Sequence, residues 1–373
     1  MSGTVMMFGL GDLGGWVLEF LARSPGVNTI ITCDKNEDWG FMKTECAAIG
    51  AGQQGYSKVI KFERCDVKDV DATAELLKKY NPDVIYSALT LLGWLELRGV
   101  IHAFGAEKYY KVSACTASMQ ALLLSKVMKA RKKAGIVAPV VNNSYPDVVN
   151  PVLARNGLGP LVGAGNMDLV VGEVRRKISI AENVPISAVT VYLIASHAAV
   201  VQGTRTGVPF FFKAMVGDRD ITQKFDVDSL LSDSPLLNSP VEKSSWLNHP
   251  TVAASAVKNI LAILNDTNEF AHSPGPNGLP GGYPFRIGSN GINIVLPEGI
   301  SLEEAVEINL KGLKYDGVEE IKQDGTVVFT DEARKNQKEF FGVDLREHRF
   351  ADLDEIANEL LAAGRKLVAK YRS

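Results

Sequence analysis

The sequence predicts an α/β protein, with a doubly wound parallel sheet followed by a mixed α+β domain. Three observations carry that prediction. Strand-like and helix-like segments alternate from the start to Tyr86, a glycine-rich turn joins the first strand to the first helix, and the texture changes near residue 145. Strands separated by helices imply right-handed crossovers, and hence a parallel sheet.

Val5–Phe8 is a short apolar run ending on glycines, and from Gly14 to Ala22 the apolar residues recur at helical spacing. Asn28–Cys33 (NTIITC) reads as the next strand and Lys58–Phe62 as a third. Helix signals over Ala72–Tyr80 lead into Pro82–Tyr86, a buried strand. Ala121–Ala130 is helical, and Ala138–Asn142 reads as one more strand of the same sheet. The first domain is therefore placed at 1–145 and the second at 146–373. In the second, Ile186–Ala195 is a β-rich run, followed by phenylalanines at 210–212 and a helix from Thr251 to Leu264. His272–Gly282 is dense in glycine and proline and reads as a loop. Asp324-Gly325, between two strands, gives a type I′ hairpin signal, and Leu353–Tyr371 reads as a terminal amphipathic helix. No internal repeat is visible.

At 373 residues, 46% hydrophobic and 22% charged, the chain can bury a substantial core, and disordered, collagen-like and coiled-coil classes are excluded. Forty basic against 43 acidic residues, net −3, leave no global electrostatic reason to bind nucleic acid or an anionic membrane. Cys33, Cys46, Cys65 and Cys115 show no CxxC spacing, so reduced thiols in a cytoplasmic setting fit best. The five histidines form no HExxH motif or His/Cys cluster, and no metal site is expected. No apolar window is long enough for a membrane span, and the N-terminus lacks a basic n-region and an apolar h-region.

Gly9-Leu10-Gly11-Asp12-Leu13-Gly14 is GxGxxG, placed directly after a strand and opening a helix. The first glycine allows the tight turn, the second lets backbone approach a pyrophosphate, and the third lets helix and strand pack closely. The helix N-terminus offers N–H groups and partial positive charge to phosphates. Asp34 ends the next strand, twenty residues after Gly14, where a carboxylate accepts adenosine ribose hydroxyls. The register points to a Rossmann domain binding NAD. A carboxylate there disfavours the 2′-phosphate of NADP, and neighbouring Lys35 softens that preference. Asp66 either caps the adenine edge or caps the helix that follows. Ser87-Ala88-Leu89-Thr90 follows the fourth strand at its C-terminal end, where ligands lie in open α/β sheets, and its small residues leave room for the nicotinamide-side ribose.

From Val140 onward the chain resembles the lactate and malate dehydrogenase superfamily. VVNNSYPDVVNPVLARNGLGPLVGAG is similar to that family's strand ending in asparagine, helix start and GxG segment. Asn166-Met167-Asp168 is similar to its Leu-Asp-x-x-Arg helix, and Ser196-His197 falls where its catalytic histidine ends a strand. The resemblance implies hydride transfer between NAD and an alcohol, with His197 exchanging the proton and Asp168 fixing its tautomer. It also implies that Asn143 contacts cofactor and substrate. Histidine titrates near neutral pH and suits that role.

Departures bear on the substrate. Val171 stands where the family places the arginine that forks onto a substrate carboxylate. Arg175 on the same helix and Arg205 are candidate replacements, or else ordinary surface ion pairs. Ala198 and Ala199 follow His197 where the family has glycine. Leu91–Arg98 is apolar where the family has a polar lid. Arg98 there is a candidate to polarise the reacting carbonyl, and Trp94 lines a pocket or meets a partner subunit. His249 is a helix contact. The expected substrate is a small secondary alcohol or ketone other than lactate or malate. Apolar surplus in Leu91–Leu97 and the helix from Thr251 predicts a homodimer or homotetramer. Alternatives are a saccharopine-, opine- or short-chain-type reductase, or an NAD-sensing regulator without turnover. Short-chain enzymes usually supply Tyr-x-x-x-Lys, and Tyr109-Tyr110-Lys111 has the wrong spacing.

Overall fold

The computed structural model describes residues 3–93, 96, 97, 100, 113–232 and 248–372. Six parallel strands form the first sheet: β1 (Thr4–Phe8), β2 (Thr29–Asp34), β3 (Val59–Arg64), β4 (Val84–Ser87), β5 (Val140–Asn142) and β6 (Val162–Gly163). Their order is β3-β2-β1-β4-β5-β6. The winding reverses between β1 and β4, which opens a crevice at the C-terminal ends of those strands. The sheet extends past residue 145, because β6 belongs to it.

Connecting helices are α1 (Asp12–Ala22), α2 (Glu37–Gln53), α3 (Val70–Tyr80), α4 (Ala117–Ala134) and α5 (Pro146–Ala154). Later come α6 (Met167–Ala181), α7 (His197–Gln202), α8 (Val227–Ser232) and α9 (His249–Leu264). Alternate residues of β1 enter different cores, as the two-residue strand period requires. Val5 and Met7 pack with Val17 and Leu18 of α1 and with Ala256 and Ile260 of α9. Met6 and Phe8 pack with Leu77 of α3 and Leu122 and Val127 of α4. Helix α9 therefore comes from the second half of the chain and covers the first sheet.

The second sheet is antiparallel: β7 (Val189–Ala195), β8 (Phe210–Val216), β9 (Arg219–Asp220), β10 (Glu269–Pro274), β11 (Gly282–Gly288) and β12 (Gly291–Ile294). Its order is β10-β11-β7-β8-β9, with β12 on β11. Helix α6 covers one face through Val170, Val174 and Ile178. Helix α10 (Leu302–Leu313) brings Ala305 against Ile194 and Tyr283 on the other. A third sheet, β13 (Val318–Ile321), β14 (Val327–Phe329) and β15 (Glu347–His348), is followed by α12 (Leu353–Arg372), with α11 (Asp331–Phe341) between β14 and β15. Phe329, Phe340, Ile356 and Leu360 of this unit share a core with Met6 and Phe8.

Two local expectations change. The segment 272–282 begins inside β10, and only its middle is a loop. The β13–β14 hairpin forms, but Gly325 has φ +82° while Asp324 keeps an ordinary negative φ, so the turn is not type I′. Gly325 N–H donates to Lys322 O and Lys322 N–H to Thr326 O. That is a type I turn closed by a left-handed glycine. Among the described residues no helix is long and apolar enough to cross a membrane.

Candidate functional site

The glycine turn lies at the crevice. Gly9 has φ +94°, open to glycine at little cost. A Cβ on Gly14 would stand 2.0 Å from Gly9 O, so helix and turn approach too closely for any side chain. A Cβ on Gly11 would meet nothing within 4 Å. That open space above the first turn of α1 is where a diphosphate fits. Asp34 is held at the rim: Leu10 N–H donates to its Oδ2 at 2.8 Å and Asn36 N–H to its Oδ1 at 2.9 Å. Each oxygen keeps a free lone pair for a ribose hydroxyl. Leu13 is partly buried in the core beneath the turn. Asp12 turns its carboxylate to His249 Nδ1, at 3.1 Å, so toward a phosphate it has only its backbone N–H to offer. Burial holds His249 below the ordinary histidine range despite Asp12.

Ser87 and Ala88 flank the turn from β4, and Ala88 N–H donates to Phe8 O. Asn143 Nδ2 donates to Ala164 O at 3.3 Å. Ser87 Oγ and Asn143 Oδ1 are buried with no partner in the protein. Such groups cost free energy unless water or a ligand satisfies them. The open cradle and these two atoms fit the diphosphate bridge and one nucleoside end of a dinucleotide.

His197 opens α7, immediately after β7. Its Nδ1 lies 3.0 Å from Oδ1 of Asp316, which is fully buried between α10 and β13. Its backbone N–H donates to Oδ1 of Asp147 at 3.0 Å, and the other Asp147 oxygen accepts from Asn166 Nδ2. The Tyr145 ring meets the imidazole edge-on, centroids 5.1 Å apart. Tyr145 (φ +42°) and Asn166 (φ +51°) both take left-handed backbone at the starts of α5 and α6. For a bulky tyrosine that conformation is strained, and such strain gathers at functional sites. Burial lowers the His197 pKa, but the charge and hydrogen bond of Asp316, joined by Asp147, outweigh it and raise the net value. Burial pushes Asp147 up to about 6 against the opposing pull of His197 and Asn166. Nε2 is the ring nitrogen left for a substrate.

The expected His197–Asp168 dyad is not formed. Asp168 points from α6 toward α9, where Lys258 Nζ donates to its Oδ2 at 2.6 Å and to His272 O at 2.9 Å. Asp316, absent from the sequence reading, takes the expected place. No motif marks it, and it lies 119 positions from its partner. Asp147 could be read only as an acid in a helix's first turn. Neither candidate arginine faces this cluster: Arg175 donates to the carbonyls of Val189 and Ile186, and Arg205 to Ser229 Oγ. Val171 is buried in the core under β7. Asp66 is exposed and accepts from Lys68 N–H, while Asp69 caps α3. The helix-cap alternative for Asp66 therefore fails. Arg98, Trp94 and Tyr109-Tyr110-Lys111 lie outside the described residues. Among the described residues no three His, Cys, Asp or Glu side chains could hold a metal ion.

These features define a Rossmann-type α/β protein with an antiparallel sheet joined to its crevice. Among solved structures, the malate dehydrogenase of Picrophilus torridus in its apo form superposes with a TM-score of 0.60 at 17% identity, over 85% of this chain and 96% of that one. The lactate dehydrogenase of Cryptosporidium parvum, complexed with lactic acid and nicotinamide adenine dinucleotide, gives 0.57 at 18% identity over 85% and 98%. MGS-M5, a lactate dehydrogenase from a Medee basin deep-sea metagenome library, gives 0.57 at 16% over 84% and 99%. No family model and no curated protein matches at the level of sequence. The chain has the lactate/malate dehydrogenase fold.

Proposed function

We propose that the protein is an NAD-dependent oxidoreductase acting on a secondary alcohol or its ketone, with His197 as the proton-exchanging group. The observation that carries this reading is the His197 ring, whose Nδ1 rests on the sealed Asp316 carboxylate while Nε2 remains for the substrate. NAD, when bound, supplies the nicotinamide carbon that accepts or returns hydride. The open space at Gly11 and the first turn of α1 would take its diphosphate, with Gly9, Leu13 and Gly14 shaping the turn. Asp34 would take the adenosine ribose, and Ser87, Ala88 and Asn143 would border the nicotinamide end. Asp66 is a weaker adenine-edge contact.

In the oxidising direction the hydroxyl proton must leave as hydride leaves carbon, and neutral Nε2 accepts it. Asp316 holds the Nδ1 proton, orients the ring and stabilises the imidazolium. In the reducing direction the same Nε2–H donates. Asp168 is then a structural partner of Lys258, and 1–145 serves as the cofactor unit, completed by β6 and α9 from the substrate unit 146–373. The three buried and one exposed free cysteines fit a cytoplasmic setting.

His197→Ala should lower kcat at least about a hundredfold, the low end for general acid–base groups, with NAD affinity near wild type. Alcohol-dependent NADH formation checks the first and a cofactor titration the second. Full activity in the variant would overturn the assignment. NAD binding by the wild type without turnover of any alcohol would instead identify a cofactor sensor.

A further inference from the structure

Two carboxylates flank the glycine turn, Asp34 at its rim and Asp12 in the first turn of α1. A diphosphate arriving there adds two negative charges. A helix N-terminus offers about half a positive charge, too little to offset this surplus. A cation beside the turn offsets that surplus, and the neighbouring helix brings one.

Lys43 of α2 is half-buried and points across to α1. Its Nζ lies so close to Gly15 that a Cβ on that residue would stand 2.9 Å from it. No carboxylate among the described residues pairs with this ammonium, whose contact is the Trp39 ring, 5.0 Å from Nζ to centroid. Trp39 is tied to the same turn, since its Nε1–H donates to Leu10 O at 3.0 Å, yet 47% of its surface stays exposed. The indole thus fixes α2 to the turn and holds the ammonium within one helical turn of the free N–H groups at Gly11–Leu13. An ammonium partly withdrawn from water without an anion is uncompensated. Gly14 is followed by a second glycine, and Gly15 clears the seat for Nζ.

We propose that Lys43, steered by Trp39, is a phosphate-recognition residue of the dinucleotide site, an inference that rests on the cofactor reading above. The shared chemistry is a phosphoryl group of an adenine dinucleotide. It is either the bridging diphosphate common to NAD and NADP or the 2′-phosphate peculiar to NADP.

Calorimetric titration of the full chain with NAD, NADP, ADP and adenosine tests this. Lys43→Ala should weaken NAD and ADP about tenfold, a charge-assisted contact's worth, and leave adenosine unchanged. The loss should shrink as salt is raised. Loss confined to NADP would assign the ammonium to the 2′-phosphate. Gly15→Ala should give a more stable helix that nonetheless binds NAD less well, because its methyl displaces Nζ; Trp39→Phe should show an intermediate loss. Unchanged affinity of Lys43→Ala for every phosphate-bearing ligand would overturn the proposal. Failure of the wild type to bind either dinucleotide would overturn the cofactor reading itself.

Discussion

Asp316 and Asp147 grip the same histidine through different atoms, and each makes a separate prediction. Asp316→Asn removes the charge that raises His197, so the limb of alcohol oxidation that rises with pH should move to lower pH while kcat falls. The fall should be about tenfold or more, because an amide can hold the wrong tautomer. Asp168→Asn should leave both the profile and kcat near wild type, and a change as large as that of Asp316→Asn would restore the expected dyad. Asp147 acts on stability. A carboxyl raised to about 6 contributes stability fully below its unfolded value near 4, and that contribution is lost as pH rises through 6. The difference corresponds to about 3 kcal/mol. His197, also raised, works in the same direction but in a higher window, its contribution being lost only as pH rises past the ordinary histidine value of 6.5. Urea melts should show wild type losing stability between about pH 4 and 6. Asp147→Asn should flatten that slope, since Asn166 can turn its amide to satisfy the new side chain. His197 was legible in sequence because a strand leads into it at the expected distance. Its partner was not, because burial and direction of a lone aspartate follow from tertiary packing.

At the scale of elements, the glycines of the turn separate folding from binding. Gly14→Ala forces a methyl onto Gly9 O and should destabilise by roughly 1–3 kcal/mol, as overpacking does. Gly11→Ala puts its methyl into open space and should melt near wild type while losing cofactor affinity. Thermal melts and NAD titrations on the pair check both; a Gly11→Ala protein that binds normally would remove the diphosphate from that position. Five strands of the parallel sheet were readable as short runs bounded by turn residues, whereas β6, only two residues long, left no such run. Helix α2 was not, because Trp39, Phe41, Met42 and Ile49 are exposed and blur any amphipathic stripe. Helix α10 carried a signal that went unread: Ser301 and Glu304 form a reciprocal capping box.

For the whole molecule, the described residues of the apolar stretches that suggested assembly are used within the chain. Helix α9 packs on α1, and Leu91, Leu92 and Leu97 join the core under α12. The exposed apolar side chains of α2 now carry the expectation of a homodimer or homotetramer. Sedimentation at micromolar concentration should show it, and Met42→Glu with Ile49→Glu should shift it to monomer. A wild-type monomer would end the idea. The proposed substrate class also belongs to this scale. Around His197 the described residues supply two buried carboxylates, while Arg175 and Arg205 are committed elsewhere. Lactate, malate and their oxo acids should therefore be turned over poorly, and hydroxy compounds lacking an adjacent carboxylate better. A substrate panel checks this; efficient lactate or malate oxidation would require a clamp outside the described residues.

The 119 positions between His197 and Asp316 also separate them in time. A ribosome adding about ten residues per second leaves the imidazole without its counter-ion for on the order of ten seconds. The glycine turn and β1–β5 have emerged by then, but one face of their sheet waits for α9 and the other for α12, so the crevice and the imidazole's counter-ion are completed in the same late stage of synthesis. On the proposed assignment, proton transfer becomes possible only once the segment leading into the third sheet has docked Asp316 against the imidazole.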